Sequence, residues 1–114
     1  MTIDPSSLYG TLNMLLLQVL ESEELHGLEI QERIERLTGS ALHVEEGALY
    51  PALRRLEAEG LVASQWGISE KRRRARFYRI TAAGRRRLAR ERSNWVDYVR
   101  AVGSVLGLRP EQSS

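Results

Sequence analysis

Residues 61–80, LVASQWGISEKRRRARFYRI, are where this chain leaves helical spacing. LVASQWG (61–67) and ARFYRI (75–80) are rich in aromatic and β-branched residues and predict two strands. ISEKRRR joins them, so the cations Lys71, Arg72, Arg73 and Arg74 fall at the tip of a hairpin. Periodic apolar segments on either side predict helices. A chain built from several helices and one hairpin has few ways to enclose a core.

Leu8, Leu12, Leu15, Leu16 and Val19 stand at helical spacing over 8–21 and predict a buried first helix, with Pro5 at or just outside its start. SEELHG (22–27) predicts a turn, with His26 at a helix entry. A second helix follows, with Leu28, Ile30, Ile34 and Leu37 inward and Glu29/Arg33 and Glu32/Arg36 paired one turn apart on its outer face. Thr38 and Gly39 end it. VEEGALYPALRRLEAEG (44–60) predicts a third helix, with Glu45 and Glu46 near its positive end and Gly60 as its stop. Leu49, Leu53 and Leu56 form its inward stripe. Its other side carries Gly47, Pro51, Arg54 and Ala58, flanked by Tyr50 and Arg55. Small residues there let the backbone approach another surface, while Tyr50 and the arginines reach outward.

Thr81 suits the cap of a last helix. From Leu88 the spacing of Leu88, Arg92, Trp95, Val99, Val102 and Leu106 alternates four and three, a heptad stripe in which Arg92 is the misfit. Such a helix runs roughly 35–40 Å at 1.5 Å per residue, and its narrow seam calls for a partner helix. RPEQSS forms a frayed end.

At 114 residues the chain is one domain's worth, and 42% apolar content supports a core. The net charge of +2 hides a segregation: residues 71–92 hold eleven Lys or Arg and one acid, while the rest holds six basic and fourteen acidic residues. One strongly basic surface on an otherwise acidic protein points to a polyanion met by one face. Cysteine is absent, which removes disulfides, thiolate metal sites and a thiol nucleophile and fits a cytoplasmic protein. MTIDPSSLYG lacks the pattern of a signal peptide, and no apolar run approaches a membrane span. His26 and His43, two histidines without a set of carboxylate or thiolate partners, do not make a metal or catalytic site. No nucleophile–base pair or phosphate loop is visible, so an enzyme is not expected, and no cofactor is implied.

The fold class expected is mainly α with a two-stranded β hairpin (α+β): a winged helix-turn-helix followed by a long C-terminal helix. The expected divisions are 1–80 for the winged helix, 81–107 for the helix and 108–114 for the tail. In this order the third helix enters the major groove and the hairpin wing meets the backbone. The cations of the wing tip would then lie near phosphates.

GTLNMLLLQVL (10–20), LHGLEI (25–30), VEEGALYPALRRLEAEGLV (44–62), RRRARFYRIT (72–81) and TAAGRRRL (81–88), in this order, resemble the PadR family of bacterial transcriptional regulators over about residues 8–106. The single long last helix is similar to the short-tailed branch of that family. The resemblance implies a homodimeric repressor on a palindromic, inverted-repeat operator in double-stranded DNA. It implies that Tyr50, Pro51, Arg54 and Arg55 lie in the recognition helix, with Gly47 on its exposed side. Lys71, Arg72, Arg73, Arg74 and Arg76 then form the basic wing. The implied dimer packs the last helix on the partner's last and first helices, so that Leu8, Leu12, Leu88, Arg92, Trp95, Val99, Val102 and Leu106 are interface candidates. It also offers Trp95, with Arg92, as a candidate pocket for a small flat aromatic effector; the alternative is a plain dimer knob. Tyr50 either contacts DNA or packs on the wing, and Trp66 is expected to be structural. From a different class, the same scaffold would serve as an adaptor that dimerises and binds a protein partner.

Overall fold

A computed structural model of the chain describes residues 11–108. Their elements are α1 (Leu12–Val19), β1 (Leu25–His26), α2 (Gly27–Leu37), α3 (Glu46–Ala58), β2 (Val62–Ile68), β3 (Arg74–Ile80) and α4 (Ala82–Leu106). The expectations for Pro5, Leu8 and the end of the tail lie outside the described residues.

One core holds the elements together. Leu12, Leu16, Leu17 and Leu20 of the first helix region, Ile30 and Ile34 of α2, and Leu49, Ala52, Leu53 and Leu56 of α3 are all buried in it. Val62, Tyr78 and Ile80 of the hairpin and Leu88 of α4 complete it. The expected boundary at 80/81 is thus the junction of β3 and α4, and the core runs across it.

The hairpin is as expected, but the sheet has three strands in the order β1-β3-β2. Leu25 pairs with Tyr78 and His26 with Phe77, so the segment expected to be a simple turn adds a short antiparallel strand to the wing's base. Two residues are too short a run for periodicity to reveal. The strand also fixes the entry to α2: the Glu29 carboxylate accepts from the His26 backbone N–H (3.1 Å), and the His26 ring accepts from the Glu29 N–H (3.4 Å). This is a reciprocal capping box. Glu29 is therefore not the partner of Arg33, which instead binds Glu23 in the preceding turn. The inward stripe of α2 is also narrower than expected. Ile30 and Ile34 are buried, whereas Leu28 and Leu37 are exposed.

The stop at Gly60 rests on backbone geometry. Its φ of 76° is in the left-handed region, which costs glycine little. The chain there closes with Gly60 N–H on the Glu57 carbonyl and Leu61 N–H on the Leu56 carbonyl. The turn delivers Leu61 and Val62 to the core and starts β2 directly after α3. Thr81 then ties the start of α4 to the same corner. Its hydroxyl donates to the Gly60 carbonyl (2.7 Å) and accepts from the Gly84 N–H (3.0 Å). An Arg87 ion pair with Glu59 (3.8 Å) lies beside this junction.

Beyond Leu88, α4 leaves the core. From Ala89 to Leu108 every residue is exposed except Glu91 and Val102, which are half-buried, and Gly103. No helix among the described residues is long and apolar enough to cross a membrane.

Candidate nucleic-acid interface

The spacing of α3 sorts its side chains as expected. Leu49, Leu53 and Leu56 are buried, while Gly47, Arg54, Arg55 and Ala58 are exposed and Tyr50 and Pro51 half-buried. Pro51 lies inside the helix and has no N–H for the Gly47 carbonyl one turn back. The start of α3 is braced from α2. Gln31 donates to the Val44 carbonyl (2.8 Å), and the Thr38 hydroxyl accepts from the Leu42 N–H (3.1 Å). His43 stands 3.6 Å from Glu45, two residues on in the chain, and 3.6 Å from Glu35, which folding brings to it from α2. No group of three or more metal-ligating side chains is present among the described residues.

The wing turns through Ser69–Arg73. Ser69 N–H bonds the Arg73 carbonyl (2.8 Å) and Arg72 N–H the Ser69 carbonyl (2.9 Å). Arg72 takes a φ of 59° to close this turn, a conformation few non-glycine residues adopt. Lys71, Arg72, Arg73 and Arg74 are all exposed.

Between α2, α3 and the wing lies an open groove of about 690 Å³. Tyr50 and Arg54 line it from α3, and Lys71, Arg73, Arg74 and Arg76 line it from the wing. The fold thus brings six of the ten candidate nucleic-acid residues around one concavity. Gly47, Pro51, Arg55 and Arg72 are not among its lining residues.

Tyr50 packs over the entry to α2. A β-carbon placed on Gly27 would come within 2.3 Å of its hydroxyl. Burial, then the neighbouring Glu46 carboxylate, push its phenol above the ordinary 10.0. Tyr50 thus packs on the start of α2, and it also lies near enough to Tyr78 of β3 to influence its phenol.

Several lining residues escaped the sequence reading. Leu28, Glu29 and Glu32 face the groove from α2, and Trp66 faces it from β2. Arg76 is engaged by partners of its own. Its Nε donates to Ser64 Oγ (2.7 Å), Ser64 Oγ donates to Glu57 Oε2 (2.6 Å), and its Nη2 lies 3.7 Å from the same carboxylate. The strand alternation carried a signal for this cluster: in an antiparallel hairpin residues 64, 66 and 68 share a face with 74, 76 and 78.

A second exposed surface lies on α4. Trp95 (44% exposed), Val99 and Leu106 are joined by Tyr98 and Val105, which widen the expected heptad stripe. The Trp95 and Tyr98 rings sit 6.4 Å apart at a 40° tilt. Arg92 is exposed and Val102 half-buried. Leu12 (4%) and Leu88 (1%) must be removed from the partner-facing candidates, because the chain's own core already encloses them. The heptad pattern could not separate Leu88 from Trp95, since both occupy the same helical face.

The model of the transcriptional regulator PadR-like family matches residues 16–90. The transcriptional regulator Rv3488 of Mycobacterium tuberculosis is 38% identical over 79 residues, covering 69% of this chain and 70% of that protein. A PadR family transcriptional regulator from Eggerthella lenta has a similar structure, with a TM-score of 0.75 and 32% identity over 89% of this chain and 86% of the other. A transcriptional regulator from Clostridium thermocellum superposes with a TM-score of 0.79 at 26% identity, covering 87% and 96%. The matched segment runs from the first helix into the last and takes in the whole groove, so the chain belongs to the PadR-like family of transcriptional regulators.

Proposed function

We propose that this regulator is a homodimeric repressor that sets α3 into the major groove of an inverted-repeat operator and lays its wing along the phosphate backbone. The observation that carries the reading is the shared groove. Tyr50 and Arg54 of α3 face Lys71, Arg73 and Arg74 of the wing across one open concavity. The exposed face of α3 is small enough for close approach, with Gly47 and Ala58 at its ends. Arg54 and Arg55 project from it, and a bidentate arginine–guanine pair there supplies about 1–3 kcal/mol of discrimination.

The apolar face of α4 supports pairing of two chains. Trp95, Tyr98, Val99 and Leu106 lie exposed on a helix whose first turns are locked into the core. A second copy would cover them, holding two recognition helices about one DNA turn apart, on the order of 34 Å. A small hydrophobic effector stacking on Trp95 within that interface would shift the spacing and release DNA.

The test is selection of bound sequences from a random DNA pool at near-physiological salt. Enrichment of one inverted repeat is expected, and binding without enrichment would refute a sequence-specific repressor. Replacing Arg72, Arg73 and Arg74 together with alanine should weaken binding to every sequence and flatten the salt dependence, by about 0.9 in log–log slope for each phosphate no longer neutralised. Unchanged affinity would remove the wing from the interface. For the effector, flat aromatic compounds should quench Trp95 fluorescence and lower operator affinity together; quenching without release would refute it.

A further inference from the structure

Two arginines of the wing share one aromatic neighbour and differ in their other partners. Trp66 is 55% exposed on the groove side of β2. The hairpin register sets it opposite Arg76, with Ile68 opposite Arg74. The Arg74 guanidinium lies 4.5 Å from the centre of the Trp66 ring and that of Arg76 5.4 Å, both within range of cation–π attraction. Arg76 is also bound by Ser64 and lies beside Glu57, which connect it to α3. Among the described residues the Arg74 guanidinium has only the ring.

These partners imply different work. A guanidinium held only by an aromatic ring makes no hydrogen bond there and keeps its N–H donors for a phosphate. A flexible arginine loses rotamer freedom when it binds, and a ring that already holds it reduces that loss. Arg76 has already committed its Nε to Ser64, and a carboxylate stands beside its charge, so a phosphate would have to compete with Glu57.

We propose that Trp66 is a positioning residue for DNA binding: it holds Arg74 at the groove for a phosphate, while Arg76 is a strut fixing the wing to α3 rather than a phosphate ligand. The assignment rests on the groove being the DNA-binding face. It replaces two sequence expectations, a purely structural Trp66 and a phosphate-binding Arg76.

The experiment is a double-mutant cycle on the selected operator, read by fluorescence anisotropy across a range of salt. Trp66→Ala should weaken binding about three- to ten-fold, the scale of a cation–π contact. In an Arg74→Ala background the same change should cost less than about two-fold if the ring acts through Arg74. Trp66→Phe should keep most of the wild-type affinity. Arg74→Ala should lower the salt slope by about one, while Arg76→Ala should weaken binding and leave the slope unchanged. Equal losses for Trp66→Ala in both backgrounds, or none in either, would overturn the positioning role. A slope that falls as much for Arg76→Ala as for Arg74→Ala would overturn the strut. If Trp66→Ala does not fold, Trp66→Leu, apolar but without a ring, takes its place. A wild-type protein that binds no DNA at any salt overturns the groove reading itself, and this inference with it.

Discussion

Tyr78 and Tyr50 carry the clearest electrostatic consequence of the packing. Burial raises the Tyr78 phenol above 10.0; Arg76 opposes this, and Glu57 adds to it. A phenol whose folded pKa is raised contributes its full stability below the unfolded value and loses it as pH climbs through the folded value. The fold should therefore weaken above pH 10 as both tyrosines are forced to ionise. Tyr78→Phe should lose less stability than the wild type between pH 9 and about 11, measured by urea unfolding at each pH. Parallel curves would mean that Tyr78 does not contribute to the alkaline loss. The position of Arg72 permits an opposite kind of gain. Its left-handed backbone suits glycine, so Arg72→Gly should stabilise the turn by about 1 kcal/mol while removing one cation from the wing. Higher thermal stability with weaker DNA binding is the expected combination.

At the scale of elements, the corner between α3, β2 and α4 orients the wing. A β-carbon at Gly84 would lie 2.1 Å from the Leu61 carbonyl oxygen, a backbone atom that cannot swing aside. Gly84→Ala should therefore destabilise the fold by about 1–3 kcal/mol, the usual cost of overpacking, read from the urea midpoint. A neutral result would show that the start of α4 can shift away from the corner. Thr81 was legible as the cap from its type and place ahead of a helical period, and Gly60 as the stop. The strand β1 was not legible. Its two residues pair with Tyr78 and Phe77, far along the chain, and local sequence holds no record of that pairing.

Across the whole molecule, α4 spans two environments. Its first turns complete the core through Gly84 and Leu88, and its later turns present Trp95, Tyr98, Val99 and Leu106 to solvent. Leu88→Ala should destabilise each chain by about 2–5 kcal/mol, as core leucine truncations do. Val99→Asp should leave each chain folded and convert a dimer to monomers in sedimentation. If Val99→Asp leaves the mass unchanged, the proposed pairing does not use this face.

The sequence by itself determined what local chemistry can encode: three helices, a basic-tipped hairpin and a long last helix, with the cap at Thr81 and the stops at Gly39 and Gly60. It also determined the charge segregation and the sided character of α3, because periodicity records which face of a helix is apolar. The tertiary structure alone decided which of those groups meet. It added β1 to the sheet, drew Leu88 inside the chain, and moved Arg33 from Glu29 to Glu23. It tied Arg76 to Glu57 through Ser64 and set Trp66 beneath Arg74. Each of these depends on distances between residues of different elements, and such distances exist only once the core has closed.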